Sequence, residues 1–232
     1  MKTRLSFLLS LVAISAIAQK KQFDITGAVR KFEGSLSAMY THSWQLGKKK
    51  KFEIGLAGRF TSYLGQNQYY ITAPARLTSG STGPLVIFKE NIAANIDTFL
   101  IQSPQVNAIN VVIHLGYQIT NRFAVGFNID AIGISIGSKK TGSYINGVFG
   151  QQEQGKPTAF NLLLISDNDL GTLNSELFVK YKWKEKWGFK GGLQFLFTEY
   201  TTDTQVQQVP EPNNRFRDKS LLFAFGVYKN LN

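Results

Sequence analysis

The chain has no cysteine. That excludes a disulfide framework, any thiolate metal site and a lipidated cysteine anchor. It has only two histidines, His42 and His114, which leaves little material for Ser-His or Asp-His catalysis. Beyond residue 18 it has no apolar run near the ~20 residues that a membrane-spanning helix needs. Acidic residues are scarce beside basic ones, 15 against 26, for a formal net charge of +11. That basic charge is spread over turns and loops and forms no nucleic-acid motif. The Gly-rich stretch 79–84 lacks the lysine of a phosphate loop, and reads as a flexible loop. If this protein enters a membrane it must do so as a closed barrel. Only helices and closed barrels satisfy every backbone polar group in lipid.

Residues 1–18 read as a secretory signal peptide. Lys2 and Arg4 form a basic start, residues 5–14 an apolar run, and Ala16-Ile17-Ala18 a small-x-small cleavage site. Cleavage before Gln19 would leave residues 19–232 as one domain, with the net charge of +11 reduced by two basic residues to +9.

From residue 33 onward, alternating segments are joined by short Lys-rich turns and long polar loops in strict order. The short joints are 45–50, 120–122 and 184–186; the long ones are 65–106, 138–172 and 202–219. Short turns on one side and long loops on the other are the asymmetry of a transmembrane β-barrel. Seven segments carry period-two patterning, which puts successive side chains on opposite strand faces. They are 35–44, 52–64, 109–119, 123–131, 173–183, 187–200 and 221–231. Bacterial single-chain barrels have an even strand count, and strand direction calls for one more strand before residue 35. Residues 23–31 supply it. The expected fold is therefore all-β: an antiparallel, up-and-down transmembrane barrel of eight strands. Ten is the alternative, because 85–88, 96–101 and 160–165 are apolar stretches inside the long loops.

Two features favour lipid outside the barrel. Aromatics gather at the short turns: Trp44 and Phe52, Tyr117 and Phe123, Trp183 and Trp187. Tryptophan and tyrosine prefer a membrane–water boundary, where the ring is dry and the polar atom wet. Phe60 with Tyr63, and Phe197 with Tyr200, are expected to form the outer girdle. The opposite strand face carries Glu53, Arg59, His114, Asp130, Glu176, Lys180 and Lys190. In a narrow barrel these face inward, where charges of both signs must pair. An eight-stranded barrel is just wide enough for its side chains to fill, so no open pore is expected. Lys48 to Lys51 with Lys182, Lys184 and Lys186 would ring the inner rim near anionic headgroups.

The combination resembles the small outer-membrane β-barrel proteins of Gram-negative bacteria, in the broad OmpA-transmembrane-like and OmpX-like group. The Gln after Ala18 and the Asn- and Lys-rich style are similar to Bacteroidetes members. So are Phe195-Leu-Phe-Thr-Glu-Tyr-Thr-Thr202 and Phe160-Asn-Leu-Leu-Leu-Ile-Ser-Asp-Asn-Asp169. The resemblance is architectural and spans residues 23–232. It implies an outer-membrane location, contact with outer-membrane lipids and lipopolysaccharide, and insertion by the barrel-assembly machinery. Members commonly end in an aromatic, whereas this chain ends Leu231-Asn232.

These readings point to a non-enzymatic barrel acting through its long loops, with no cofactor. Tyr69, Tyr70, Phe88, Phe99, Tyr144, Phe149 and Phe216 are the loop aromatics expected to meet partners. The alternatives are a transport barrel or porin for a small solute, an outer-membrane lipid hydrolase using His114, and a soluble lipocalin-like binding barrel. Asp167-Asn168-Asp169 with Gly171 reads as a turn rather than a calcium loop, because it lacks the spaced glutamate.

Overall fold

A computed structural model describes residues 19–81, 88–146, 149–164 and 166–231. The signal segment, most of the apolar stretch 85–88 and part of the Gly-rich loop lie outside the described residues, as does the Phe149 side chain.

Eight long strands close into a ring. They are β1 (Gln19–Arg30), β2 (Glu33–Leu46), β3 (Phe52–Gly65), β6 (Gln105–Gln118), β7 (Phe123–Ile136), β11 (Leu173–Lys182), β12 (Trp187–Thr202) and β13 (Arg215–Asn230). Each pairs antiparallel with the next along this series. The last pairs with the first, from Gln22 opposite Asn230 to Val29 opposite Phe223. Closure removes every unpaired edge from the ring. The whole sheet has 13 strands, which differs from the eight or ten expected. The additional five are short pieces of the long loops: β4 (Gln68–Thr72), β5 (Thr98–Ile101), β8 (Lys140–Asn146), β9 (Phe149–Pro157) and β10 (Phe160–Leu162).

Four of those pieces build a second ring on top of the first. β4 pairs with the far end of β13, then β5, β8 and β9 follow, and β9 returns to the far end of β12. β12 and β13 thus run through both rings. The loops therefore form a cap rather than free tethers.

Side-chain period two sets the two faces of the large ring. On β3, Glu53, Arg59, Thr61 and Tyr63 are buried while Phe52, Ile54, Leu56 and Phe60 are exposed. On β13, Ser220, Leu222, Ala224 and Tyr228 are buried while Leu221, Phe223, Phe225 and Val227 are exposed. The polar face is the interior and the apolar face the exterior, the reverse of a water-soluble barrel. A register shift at Val111/Val112 leaves Ala131 without a partner. This bulge flips the parity of β7, so Ile132, Ile134 and Ile136 stay outside although Asp130 points in.

The turns follow local chemistry. Gly47 sits at φ +80°, and Lys50 N donates to its carbonyl at 3.0 Å. A left-handed residue there suits glycine. β1 and β2 are joined by Lys31 and Phe32 alone, with Phe32 at φ 64°. Inside the ring, a Cβ on Gly126 would lie 2.4 Å from the Phe178 ring, and one on Gly188 2.4 Å from Tyr228. These glycines are the recesses that admit the two rings.

Candidate functional site: the filled lumen and its two ends

The lumen is divided along its axis. The half near the short turns is charged, and the half near the cap is apolar and aromatic. β1, β3, β6, β7, β11 and β12 each send polar side chains into the charged half. Arg59 lies at its centre, with its side chain 1% exposed against 0% for Asp130. Its Nε donates to Asp130 Oδ1 at 2.9 Å, and its Nη2 donates to the same oxygen and to Asn174 O. The other Asp130 oxygen accepts from Asn110 Nδ2 at 2.6 Å and from Asn174 N at 3.0 Å. Glu176 stands between Arg59 Nη1 at 3.7 Å and Lys190 at 3.1 Å. Lys190 also binds Asp24 at 2.6 Å. A second chain runs from Glu176 through Asn128, at 2.9 Å, to His114 Nδ1 at 2.7 Å. His114 Nε2 faces Glu53 at 3.7 Å, and Glu53 meets Lys20 at 3.0 Å. Lys180 donates to the neutral Gln22 carbonyl and lies 4.8 Å from the Phe178 ring.

All seven inward polar residues read from the sequence, Glu53, Arg59, His114, Asp130, Glu176, Lys180 and Lys190, are buried in this lumen. Lys20, Gln22, Asp24, Asn110, Asn128 and Asn174 complete the network and were not singled out. Asp24 and Gln22 alternate with Phe23 and Ile25, which was the available signal. His114 contacts Asn128, Glu53 and the face of Phe178. Among the described residues no hydroxyl nucleophile bonds to it.

The other half is closed by a cluster that continues into the cap. Tyr63, Val106, Leu196 and Leu222 form its lower part, and Tyr70, Phe99, Ile101, Tyr144, Tyr200 and Phe216 its upper part. Tyr63 Oη donates to Glu33, which also accepts from Ser220 Oγ at 2.7 Å. Tyr200 Oη donates to Gln105 O at 2.9 Å. Tyr144 Oη donates to Asp97 at 2.6 Å, and burial with this carboxylate beside it pushes the phenol well above its ordinary range.

The aromatics divide differently from the expected pattern. Trp44, Phe52, Tyr117, Phe123, Trp183 and Trp187 do ring the short-turn end on the outer face. Tyr63 and Tyr200 do not join an outer girdle. Both are fully buried, because each shares parity with the inward residues of its strand. Of the loop aromatics, Tyr70, Phe99, Tyr144 and Phe216 are core residues of the cap, not contact residues. Tyr69 and Phe88 are exposed.

Outside the ring, residues 166–170 brace the outer ends of β12 and β13. Asp167 binds Lys219, and Asp169 O accepts from Arg215 and Arg217. Glu199 is held by Arg215 at 2.8 Å and Arg217 at 2.7 Å. Burial raises the Asp169 carboxyl above its usual range. The Asp167 carboxylate is thus committed to cations, and Asp169 Oδ1 accepts from Leu164 N.

The class of architecture is now defined: a closed, up-and-down, eight-stranded barrel with an apolar exterior, a charged interior and a β-stranded cap. No protein-family model and no curated protein matches the chain. Among solved structures, Neisserial surface protein A (NspA) aligns over 91% of this chain and 96% of its own, at 10% identity and a TM-score of 0.38. Ail, the attachment invasion locus protein of Yersinia pestis, in complex with the heparin analogue sucrose octasulfate, covers 92% and 98%, at 6% identity and 0.37. The toluene transporter TodX of Pseudomonas putida covers 92% and 89%, at 9% identity and 0.24. These likenesses are loose. The fold assignment rests on the strand pairings, and no function is carried over.

Proposed function

We propose that the protein is an integral outer-membrane barrel, non-enzymatic and without a cofactor, that presents its β-stranded cap to the outside. The observation that carries this reading is the inverted barrel. Its exterior is a largely apolar wall, and its interior holds Arg59, Lys190, Asp24, Asp130 and Glu176 buried and paired. Exposed phenylalanine, leucine and isoleucine on nearly every strand would be costly in water, at ~25 cal/mol per Å². In lipid they cost nothing. Ring strands of 10 to 16 residues match or exceed the ~9–11 residues that cross a bilayer when tilted. The tryptophan-rich end with the short turns then faces the periplasm, and the cap faces out.

The filled lumen favours a structural or surface-contact role over transport. Met39, Arg59 and Lys190 are buried at mid-barrel and the aromatic cluster closes one end, so no continuous water path follows from the side-chain packing. Lipids and lipopolysaccharide are the expected surroundings, and the barrel-assembly machinery the expected route of insertion. Export would proceed through a signal ending at Ala18, leaving Gln19, the first residue of β1, as the new N-terminus. The test is fractionation followed by an unheated gel. A heat-modifiable band in the detergent-extracted outer membrane supports the reading, and recovery as soluble periplasmic protein rejects it.

A further inference from the structure

The charged half of the lumen opens at the short-turn end into a cavity of about 500 Å³. Its wall includes Lys20, Arg122, Lys180 and Lys182, with the amides Gln45, Asn121 and Asn230. Among the described residues no carboxylate lines it. The acids of the lumen lie deeper and are already engaged: Asp24 by Lys190, Asp130 by Arg59, Glu176 by both, and Glu53 by Lys20. Lys180 touches the neutral Gln22 and the faces of Phe178 and Tyr228, and the Asp24 and Glu53 carboxylates act on it from farther off. Among the described residues, Arg122 and Lys182 form no ion pair. Two of these cations meet where the end of β11 adjoins the 120–122 turn, Lys182 N donating to Arg122 O at 2.8 Å.

We propose that this vestibule binds a small oxyanion carrying two or more negative charges, of the phosphate or pyrophosphate type. The physical reason is uncompensated positive charge in a concave site. Walls of low polarisability focus the field there, and the volume falls within the ~300–1,000 Å³ of small-molecule pockets. Arg122 offers a planar fork that fits phosphate in a bidentate manner, while Lys180 and Lys182 act as point charges. The charged half of the lumen balances with Lys180 included, Lys20, Arg59, Lys180 and Lys190 standing against Asp24, Glu53, Asp130 and Glu176. Arg122 and Lys182 are the surplus, so the anion is the missing partner of the mouth rather than of the core.

The proposal uses the short-turn mouth itself and does not depend on which way the barrel faces. The test is calorimetric titration of pyrophosphate into the detergent-solubilised full barrel at low salt. One saturable site is expected. Arg122→Gln with Lys182→Gln should weaken it at least about tenfold and flatten its salt dependence, while the heat-modifiable gel shift is retained. Arg122 lies on a turn and Lys182 at the last position of β11, both outside the buried lumen core, so loss of folding is not expected. Absence of saturable heat, or affinity unchanged in the double variant, overturns the proposal. Repeating the titration in nanodiscs separates the sources of the same chemistry. Equal affinity in neutral and anionic lipid identifies a soluble anion. Loss of the site only in phosphatidylglycerol discs identifies a lipid headgroup in it.

Discussion

Asp130→Asn probes the lumen network at its centre. The change keeps the volume and removes the charge. Asp130 accepts from Arg59 Nε, Arg59 Nη2, Asn110 Nδ2 and Asn174 N. An asparagine has one acceptor oxygen, so its amide would oppose at least one of those donor pairs. Arg59, 1% exposed, would keep only Glu176 at 3.7 Å as a carboxylate partner. Removing one member of a buried ion pair costs ~3–5 kcal/mol, because the remaining charge is left uncompensated. Against total stabilities of ~5–15 kcal/mol, that is a large fraction. The assay is urea titration of the barrel refolded in lipid vesicles, followed by tryptophan fluorescence. Arg59→Met alone should be similarly harmful, and the Arg59→Met/Asp130→Asn pair should be ~1–3 kcal/mol less harmful than the sum of the two. A loss under ~1 kcal/mol for Asp130→Asn, the range of solvent-exposed pairs, would mean that water fills the lumen and the reasoning fails.

Further expectations concern packing, the cap and conduction. Gly126→Ala sets a Cβ 2.4 Å from the Phe178 ring and 2.6 Å from Leu115 O; a loss of ~1–3 kcal/mol is expected, measured in the same urea titration and part-restored by Phe178→Leu. Phe99→Ala should cost ~3–5 kcal/mol within the cap, seen as faster proteolysis of the long loops while the gel shift of the barrel persists; equal loss of both would show that the two rings do not open separately. In planar bilayers the protein should give no stable conductance steps, and reproducible ohmic steps would reopen the transport reading. The short-turn tryptophans Trp183 and Trp187 should be quenched by lipids brominated near the headgroup more than by those brominated deep in the chain.

The ring was legible because its signal is periodic. On β3 and β13 large apolar residues recur on the outer face opposite inward residues that are mostly polar or small, the pattern that the proposed lipid surroundings would favour. β1 was the least legible ring strand, since its short connection to β2 is unlike the long loops elsewhere at that end, yet the register Gln22–Val29 with β13 makes it the strand that closes the barrel. The second half of β7 was not legible. The bulge at Ala131 reverses parity there, and a period-two reading cannot cross a one-residue insertion. The cap was hidden for another reason. Its strands run only four to nine residues, and pairings such as Phe99 opposite Tyr144 join distant loops. Its aromatics therefore resembled exposed contact residues until their partners were known. In the site, individual charges were readable from parity, but which charges pair was not, because Arg59 and Asp130 meet across the lumen from strands 71 positions apart.

The central claim, a barrel with lipid outside and a dry, filled interior, is tested most directly by a nitroxide scan of β13. The chain has no native cysteine, so single cysteines can be placed and labelled without background. In lipid vesicles, labels at 221, 223, 225 and 227 should collide with oxygen and not with a water-soluble nickel chelate. Labels at 222, 224 and 226 should be shielded from both. Nickel access along the 221–227 face would contradict the account, because it would put water where the apolar wall requires lipid.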